Sequence, residues 1–343
     1  MMRFLPTSDQ QAMAEAVRDA LAKECTPKTL RNGRDSARDR KIWAALAGLG
    51  VFGLTVPEQA GGLGLDQRDA VGVFREIGRA AVPGPVAEAF AAGQLLASVP
   101  DEGPAAGWLA RLAAGDAVVG VGLGTAPLVG SADQADLLIL QHGTQLHAVA
   151  AGDTRLERAE SVDANRRLFT VQWQPRPGTL LADRPEALAR VRDHLLLATS
   201  AELVGLARKL LDLAVYHVGV REQFGRPLGT FQAVQHRLAD VAVGIEFAEP
   251  VVDRAACSLA AGAPSAARDV AMAKVFASQA AEQAAYSGLQ VHGAIGYTRE
   301  HDFHLYALRA WALALAHGDA RRQRQRVADD LLGTNPAARF PAS

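Results

Sequence analysis

The chain has 343 residues, beyond the roughly 250–300 at which single cores stop growing, so two or three domains are expected. Hydrophobic residues make up 49%, enough for ordinary cores, and a formal net charge of -1 gives no general attraction to nucleic acid or to an anionic membrane. Two cysteines, Cys25 and Cys257, cannot build a disulfide framework, and MMRFLPTSDQQ lacks the apolar core of a signal peptide, so a cytoplasmic protein is expected.

Residues 8–24 read as a first helix, with Ser8 and Gln11 at capping-box spacing. A charged stretch from Lys28 to Lys41 follows, and then an apolar helix around Trp43, Leu46 and Leu49. The segment GVFGLTVPEQAGGLGLD is rich in turns, and Gly61, Gly62 and Gly64 break any helix there. Further helices are predicted over 66–80 and 84–98, so residues 1–115 read as all-α. Residues 116–183 change character: VVGVGLG, DLLILQ, QLHAVAA and LFTVQW are short β-type runs, bounded by Pro175, Pro177 and Pro185.

Helical periodicity returns over 186–332. Leu203, Leu206, Leu210 and Leu213 share one face, as do Val234, Leu238, Val241, Ile245, Ala248 and Val252. Val270, Ala273, Ala277, Ala280 and Ala284 form a small-residue ridge on a third helix. Such helices with short connections predict an antiparallel bundle, with Pro250 a place for a kink. No stretch reaches the roughly 18 apolar residues of a membrane span.

Two segments of the bundle can carry chemistry. In Arg221-Glu222-Gln223-Phe224-Gly225-Arg226-Pro227-Leu228-Gly229-Thr230-Phe231-Gln232, a charged fork, an amide and an aromatic ring meet at a tight turn. Arg221 can pair bidentately with a phosphate, Phe224 can cover an apolar ring, and Gln232 can read the edge of a base. On spacing alone, a helix–helix loop with a capping Arg is the plainer reading. The second segment is Gln290-Val291-His292-Gly293-Ala294-Ile295-Gly296-Tyr297-Thr298. Its glycines fit an αL helix cap, and they also let a ligand approach the backbone.

In this order, on a helical bundle, the two segments resemble the acyl-CoA dehydrogenase family. RxxFG followed by FQxxQ is similar to its flavin-binding turn, and QxHGxxG…EHDxHLY to its second flavin segment, with Ala294 where glycine is usual. GVFGLTVPEQAGGLG resembles the family's N-terminal Val-Pro-Glu stretch. The resemblance implies a mainly α fold with a small β domain: an N-terminal helical domain (1–115), a shortened middle β domain (116–183) and a C-terminal four-helix bundle (184–343). It implies removal of two hydrogens from an acyl-CoA thioester. A carboxylate takes the α proton, and hydride leaves the β carbon for FAD. It also implies that Arg221, Gln223, Phe224, Leu228, Phe231, Gln232, Gln290, Val291, Gly293 and Ala294 hold the adenine-diphosphate half of an FAD whose ring lies in a neighbouring subunit. An electron-transfer flavoprotein is the implied acceptor.

The sequence departs from that family at the base. Most members place a Glu about eight residues after the Arg at the Arg309 position, and here that place is His317. Others place it near Leu195, which cannot take a proton. Glu202 lies two turns further along, is read as facing away, and reads as a structural acid. His317 can act as a base, since an ordinary imidazole has a pKa of about 6.5. The neighbouring Asp319, Arg321 and Arg322 suggest a solvated helix start instead. GTAPLVGSAD is a faint echo of the family's ring-contacting segment, with Thr125, Pro127, Gly130 and Ser131 near that pattern, and the strands that contact the ring are expected to be deleted.

The leading expectation is therefore the non-catalytic half of a heteromeric acyl-CoA dehydrogenase. It would resemble the shortened subunit of the α2β2 assemblies of bacterial steroid side-chain degradation. A full-length catalytic subunit would be its partner and an acyl-CoA the substrate, steroid-derived where the likeness to those assemblies extends that far. Two alternatives stand beside it: a self-sufficient homo-oligomeric dehydrogenase using His317 or another base, and a structural subunit without redox chemistry.

Overall fold

The computed structural model describes residues 5–31, 36–124 and 127–333. The first helices are α1 (Ser8–Glu24), α2 (Pro27–Arg31), α3 (Ser36–Gly48), α4 (Gln67–Arg79), α5 (Val86–Leu96) and α6 (Trp108–Ala114). Thr7, not Ser8, caps α1: its Oγ1 accepts from the Gln10 N–H at 3.2 Å, and its own N–H donates to Gln10 Oε1 at 2.9 Å. The capping box sits one residue earlier because Thr7 is the last extended residue (φ -74°, ψ 166°) and Ser8 is already helical. Leu49 lies just past α3, in a turn.

Seven strands follow: β1 (Val119–Gly122), β2 (Leu128–Gly130), β3 (Leu137–His142), β4 (Gln145–Ala150), β5 (Arg155–Ala159), β6 (Leu168–Gln172) and β7 (Leu180–Asp183). They form a four-stranded sheet in the order β1-β3-β4-β7 and a three-stranded sheet in the order β2-β6-β5. Alternation along β3 explains the layering. Leu137 and Ile139 join the main core with the helices, while Leu138 and Leu140 pack with Val129, Val149 and Phe169 between the two sheets.

The second helical region holds α7 (Pro185–Val220), the hairpin β8 (Glu222–Gln223) and β9 (Arg226–Pro227), α8 (Gln232–Ala260), α9 (Ala266–His292), α10 (Phe303–Leu315) and α11 (Ala320–Leu332). The predicted faces pack as their spacing requires: Leu203, Leu206, Leu210, Val241, Ile245, Ala248, Val252 and the 270–284 ridge are all buried. Pro250 does not end α8. No helix among the described residues is long and apolar enough to cross a membrane.

α7 is the spine, packing against α4, α5, α8, α9 and α10. Its crossing with α4 is backbone on backbone. A Cβ added at Gly78 would lie 2.0 Å from the Glu202 carbonyl oxygen, and one at Gly205 would lie 1.9 Å from that of Arg75. Only glycine fits at either position. The crossing fixes the height and rotation of Glu202 on α7.

Candidate functional site

α7 ends where Arg221 leaves helical geometry (φ -81°, ψ 119°), and the chain reverses in a two-residue hairpin. Its turn residues, Phe224 and Gly225, both have positive φ, 54° and 79°. That geometry matches the twist of a tight hairpin, but a Phe there is strained by about 1–2 kcal/mol. Phe224 is nevertheless 89% exposed. Its ring meets Phe231 edge-on at 6.1 Å, and the Arg226 guanidinium lies 4.1 Å from the Phe231 ring centre. Arg221, Gln223 and Gln232 are exposed. Gln223 bonds only locally, to the Glu222 carbonyl, and no described residue pairs with the Arg221 guanidinium.

α9 stops at Gly293, whose φ of 61° and ψ of -142° are accessible in practice to glycine alone. This differs from the αL cap the sequence suggests, since ψ lies far from the αL range. Gln290, Gly293 and Ala294 are exposed. Val291 and Leu228 both pack against the small cluster of Ala214, Val218 and Leu238. This shared contact brings the two segments to one end of the bundle. The surface around them is apolar for a free chain: Tyr216, Val220 and Tyr297 are all more than half exposed.

The other expected centre is built differently. His317 follows α10 with φ 58° and is turned inward, away from the solvated start of α11. That start is capped by Asp319, whose Oδ1 accepts from the Arg322 N–H at 2.8 Å. The His317 side chain is only 18% exposed, and its Nε2 lies 3.9 Å from Glu88 Oε1. Burial, then the charges of Arg166 and Lys274, push its pKa down to about 3. Glu202 does not face away as the sequence reading held. Seven residues from Leu195 are two turns, which return to the same face. Glu202 enters an enclosed cavity of about 30 Å³ together with Glu88, Arg166, Arg309 and His317. Burial and then Glu88 push its pKa up to about 8, with Arg309 and Arg166 opposing.

The cations near this cavity are held by hydrogen bonds, Arg166 among them through the Ala312 carbonyl at 3.2 Å. The Arg309 Nε donates to Asp163, and its other nitrogen donates to the Val82 carbonyl at 2.6 Å. Lys274 donates to the carbonyls of Leu313 and Ala314 at 2.9 and 2.8 Å, taking up the last carbonyls of α10. The cavity has room for a water molecule but not for an acyl chain.

A larger cleft of about 680 Å³ opens between the first strands and α7, α10 and α11. Leu195, at one of the two places where relatives carry the base, lines it with Leu123, Leu168 and Ala316. Its polar wall is cationic, with Arg166, Arg192, Arg322 and Arg326, the last bonded to Asp193 at 2.8 Å, and His317 lines it too, between this cleft and the small cavity. Among the described lining residues the one carboxylate is Glu160, exposed at the rim. Pro127 lines this cleft, Gly130 and Ser131 line the small cavity, and Thr125 lies outside the described residues. The arginines and the partners Glu88 and Arg166 escape sequence reading because they come from elements far apart in the chain.

Comparison with known proteins gives a consistent picture. Residues 7–145 match the N-terminal domain of acyl-CoA dehydrogenases, and residues 193–332 match the C-terminal domain. Acyl-CoA dehydrogenase IpdE2 of Mycobacterium tuberculosis is 34% identical over 331 residues, covering 92% of this chain and 93% of its own. Among solved structures, the Tcur3481–Tcur3483 steroid ACAD superposes with a TM-score of 0.86 at 25% identity, covering 97% of this chain and 99% of that one. The ChsE4–ChsE5 complex of Mycobacterium tuberculosis gives 0.83 at 24% identity, covering 99% and 100%. At that identity the likeness speaks for the fold alone.

Proposed function

The chain belongs to the acyl-CoA dehydrogenase family, FAD-dependent oxidoreductases acting on CH–CH groups, and from that premise we propose that it is the non-catalytic half of a heteromeric enzyme. What carries the reading is the state of the base positions. Leu195 stands in the cleft, and His317, which lines both that cleft and the 30 Å³ cavity, has its pKa pushed down to about 3 by burial. An imidazole that weakly basic is poorly matched to proton abstraction from a thioester at neutral pH. Glu202, with its pKa near 8, is mostly a neutral acid there and holds no free charge to accept the proton.

The opposite end of the bundle fits the diphosphate side of an FAD. Arg221 is exposed and has no partner among the described residues, ready for a charge-assisted bond to a phosphate. Phe224 is held outward against backbone strain, and Gly293 leaves the backbone open to close approach. Gln223, Leu228, Phe231, Gln232, Gln290, Val291 and Ala294 complete the patch. When bound, FAD supplies the hydride acceptor for the β carbon. A partner subunit would supply the acyl pocket, the ring contacts and the carboxylate base. The likeness to a steroid ACAD extends the proposal to a steroid-derived acyl-CoA, with an electron-transfer flavoprotein as the next acceptor.

The test is to purify the chain alone and together with a full-length acyl-CoA dehydrogenase subunit encoded beside it. Flavin absorbance and acyl-CoA oxidation with an artificial electron acceptor are then measured. Stoichiometric FAD and turnover are expected only for the mixture. Turnover by the chain alone would overturn the reading and return His317 and Glu160 to consideration.

A further inference from the structure

Three imidazoles meet at the end of the bundle that carries the hairpin, and the proposed function uses none of them. His217 lies in the last turn of α7, His292 closes α9, and His301 stands in the segment entering α10. One ring nitrogen of each lies within 4.8 Å of the others. The rings of His217 and His292 are 4.3 Å apart, and those of His292 and His301 are 4.6 Å apart.

His292 is the anchor, at 5% exposed. Its Nδ1 lies 2.7 Å from the Gly288 carbonyl, which can only accept, so the proton sits on Nδ1 and the lone pair on Nε2. That Nε2 is buried and has no hydrogen-bond partner. A backbone carbonyl holding one nitrogen while the other is presented bare is the usual support of a metal-binding histidine.

We propose that His217, His292 and His301 form a binding site for a divalent transition ion, with Zn²⁺ the best-fitting candidate. Three imidazoles without a carboxylate suit Zn²⁺, Cu²⁺ or Ni²⁺ and not Mg²⁺ or Ca²⁺. Zn–N bonds of about 2.0–2.1 Å in a tetrahedron set the nitrogens roughly 3.4 Å apart, so the rings must close by about 1.5 Å at most. His217 and His301 are half-buried and have room to turn. His301 now accepts the Phe303 N–H at Nδ1, 3.1 Å away, and ligation through that nitrogen replaces this bond. Of the nearby cations, Arg31 is paired with Asp302 at 2.7 Å and Arg221 is exposed to solvent. A bound ion would tie the ends of α7 and α9 to the entry of α10, with its fourth position left to water.

The experiment titrates chelator-treated full-length chain with Zn²⁺ by calorimetry, and with Co²⁺ by visible absorption. One ion per chain and a tetrahedral Co²⁺ band are expected, with a melting temperature that rises with Zn²⁺ concentration. His292→Ala should weaken binding by more than the roughly 10–100-fold typical of a supporting residue. His304→Ala should leave binding unchanged, since His304 bonds only to the His301 carbonyl. Should His292→Ala fail to fold, His217→Gln and His301→Gln at half-buried positions give the same readout. Absence of heat and of the Co²⁺ band at millimolar metal overturns the proposal, as does binding that survives the double variant His217→Gln/His301→Gln. No flavin or partner enters these measurements, so their outcome is separate from that of the functional reading.

Discussion

Two stretches of α7 carry the functional argument, and they are opposites. Around Glu202 the charged groups are buried together, and the space they leave is about 30 Å³. Around Arg221 the guanidinium has no described partner, Phe224 stands in solvent, and apolar side chains lie exposed on neighbouring helices. One helix therefore presents a closed face and an open one. The lesson is that a position matching a family's catalytic residue is not enough. Burial decides whether a group there is a reagent or a structural charge.

The largest effect should come from the crossing that sets up the closed face. Gly205→Leu drives side-chain atoms into the Arg75 carbonyl, and a loss exceeding about 4 kcal/mol is expected, read as disappearance of the cooperative unfolding transition. At the open face, Gly225→Ala meets no atom within 4 Å and should cost only about 1–2 kcal/mol of backbone strain in the same assay. Similar losses at both sites would break the contrast.

Next is Arg221→Ala. Losing a charge-assisted phosphate contact should weaken FAD binding to the assembled complex by about 1.5–3 kcal/mol, with the melting temperature of the chain itself unmoved. Unchanged occupancy in a flavin titration would make Arg221 an ordinary surface residue.

The buried carboxyl of Glu202 gives a smaller effect with a definite sign. Its native pKa near 8 lies above the ordinary value of 4.5. The native state therefore holds the proton longer than the unfolded chain does. The resulting stabilisation is fully present below pH 4.5 and is lost as pH rises through about 8. Glu202→Gln removes this dependence. Melting curves of the two proteins should converge below about pH 4, and the variant should gain on the wild type towards pH 9. A gap that does not change with pH would show that Glu202 is not held protonated.

The smallest effect is expected for His317→Ala in the active complex, whose turnover should stay within a few-fold of wild type. A loss of about 10²–10⁴-fold, the usual contribution of a general base, would reassign the closed face as catalytic.

Much of the fold could be read from the chain. The spacing of Leu203, Leu206 and Leu210, and of Val241, Ile245, Ala248 and Val252, marked the buried faces of α7 and α8, because helical period and burial obey one geometry. β2, β5 and β7 escaped. LVG is too short to show alternation, RLERA is too polar, and LLAD lies close behind two prolines. For the site, order and composition of the two bundle segments were legible, but their meeting through Leu228 and Val291 depends on tertiary packing. The same holds for the closed face, where Glu88, Arg166, Glu202 and the Arg309–His317 pair come from four separate stretches. The inward turn of His317 depends on a single positive φ that no local pattern announces.

The glycine crossing also has a mechanical side. From Gly205 to Arg221, α7 runs sixteen residues, about 24 Å of unbroken helix, without leaving the bundle. Clamped where it touches α4 and held along its length by α8 and α9, it works as a rail rather than a lever. The hairpin that carries Phe224 and Arg221 therefore stands at a fixed span from the N-terminal helices.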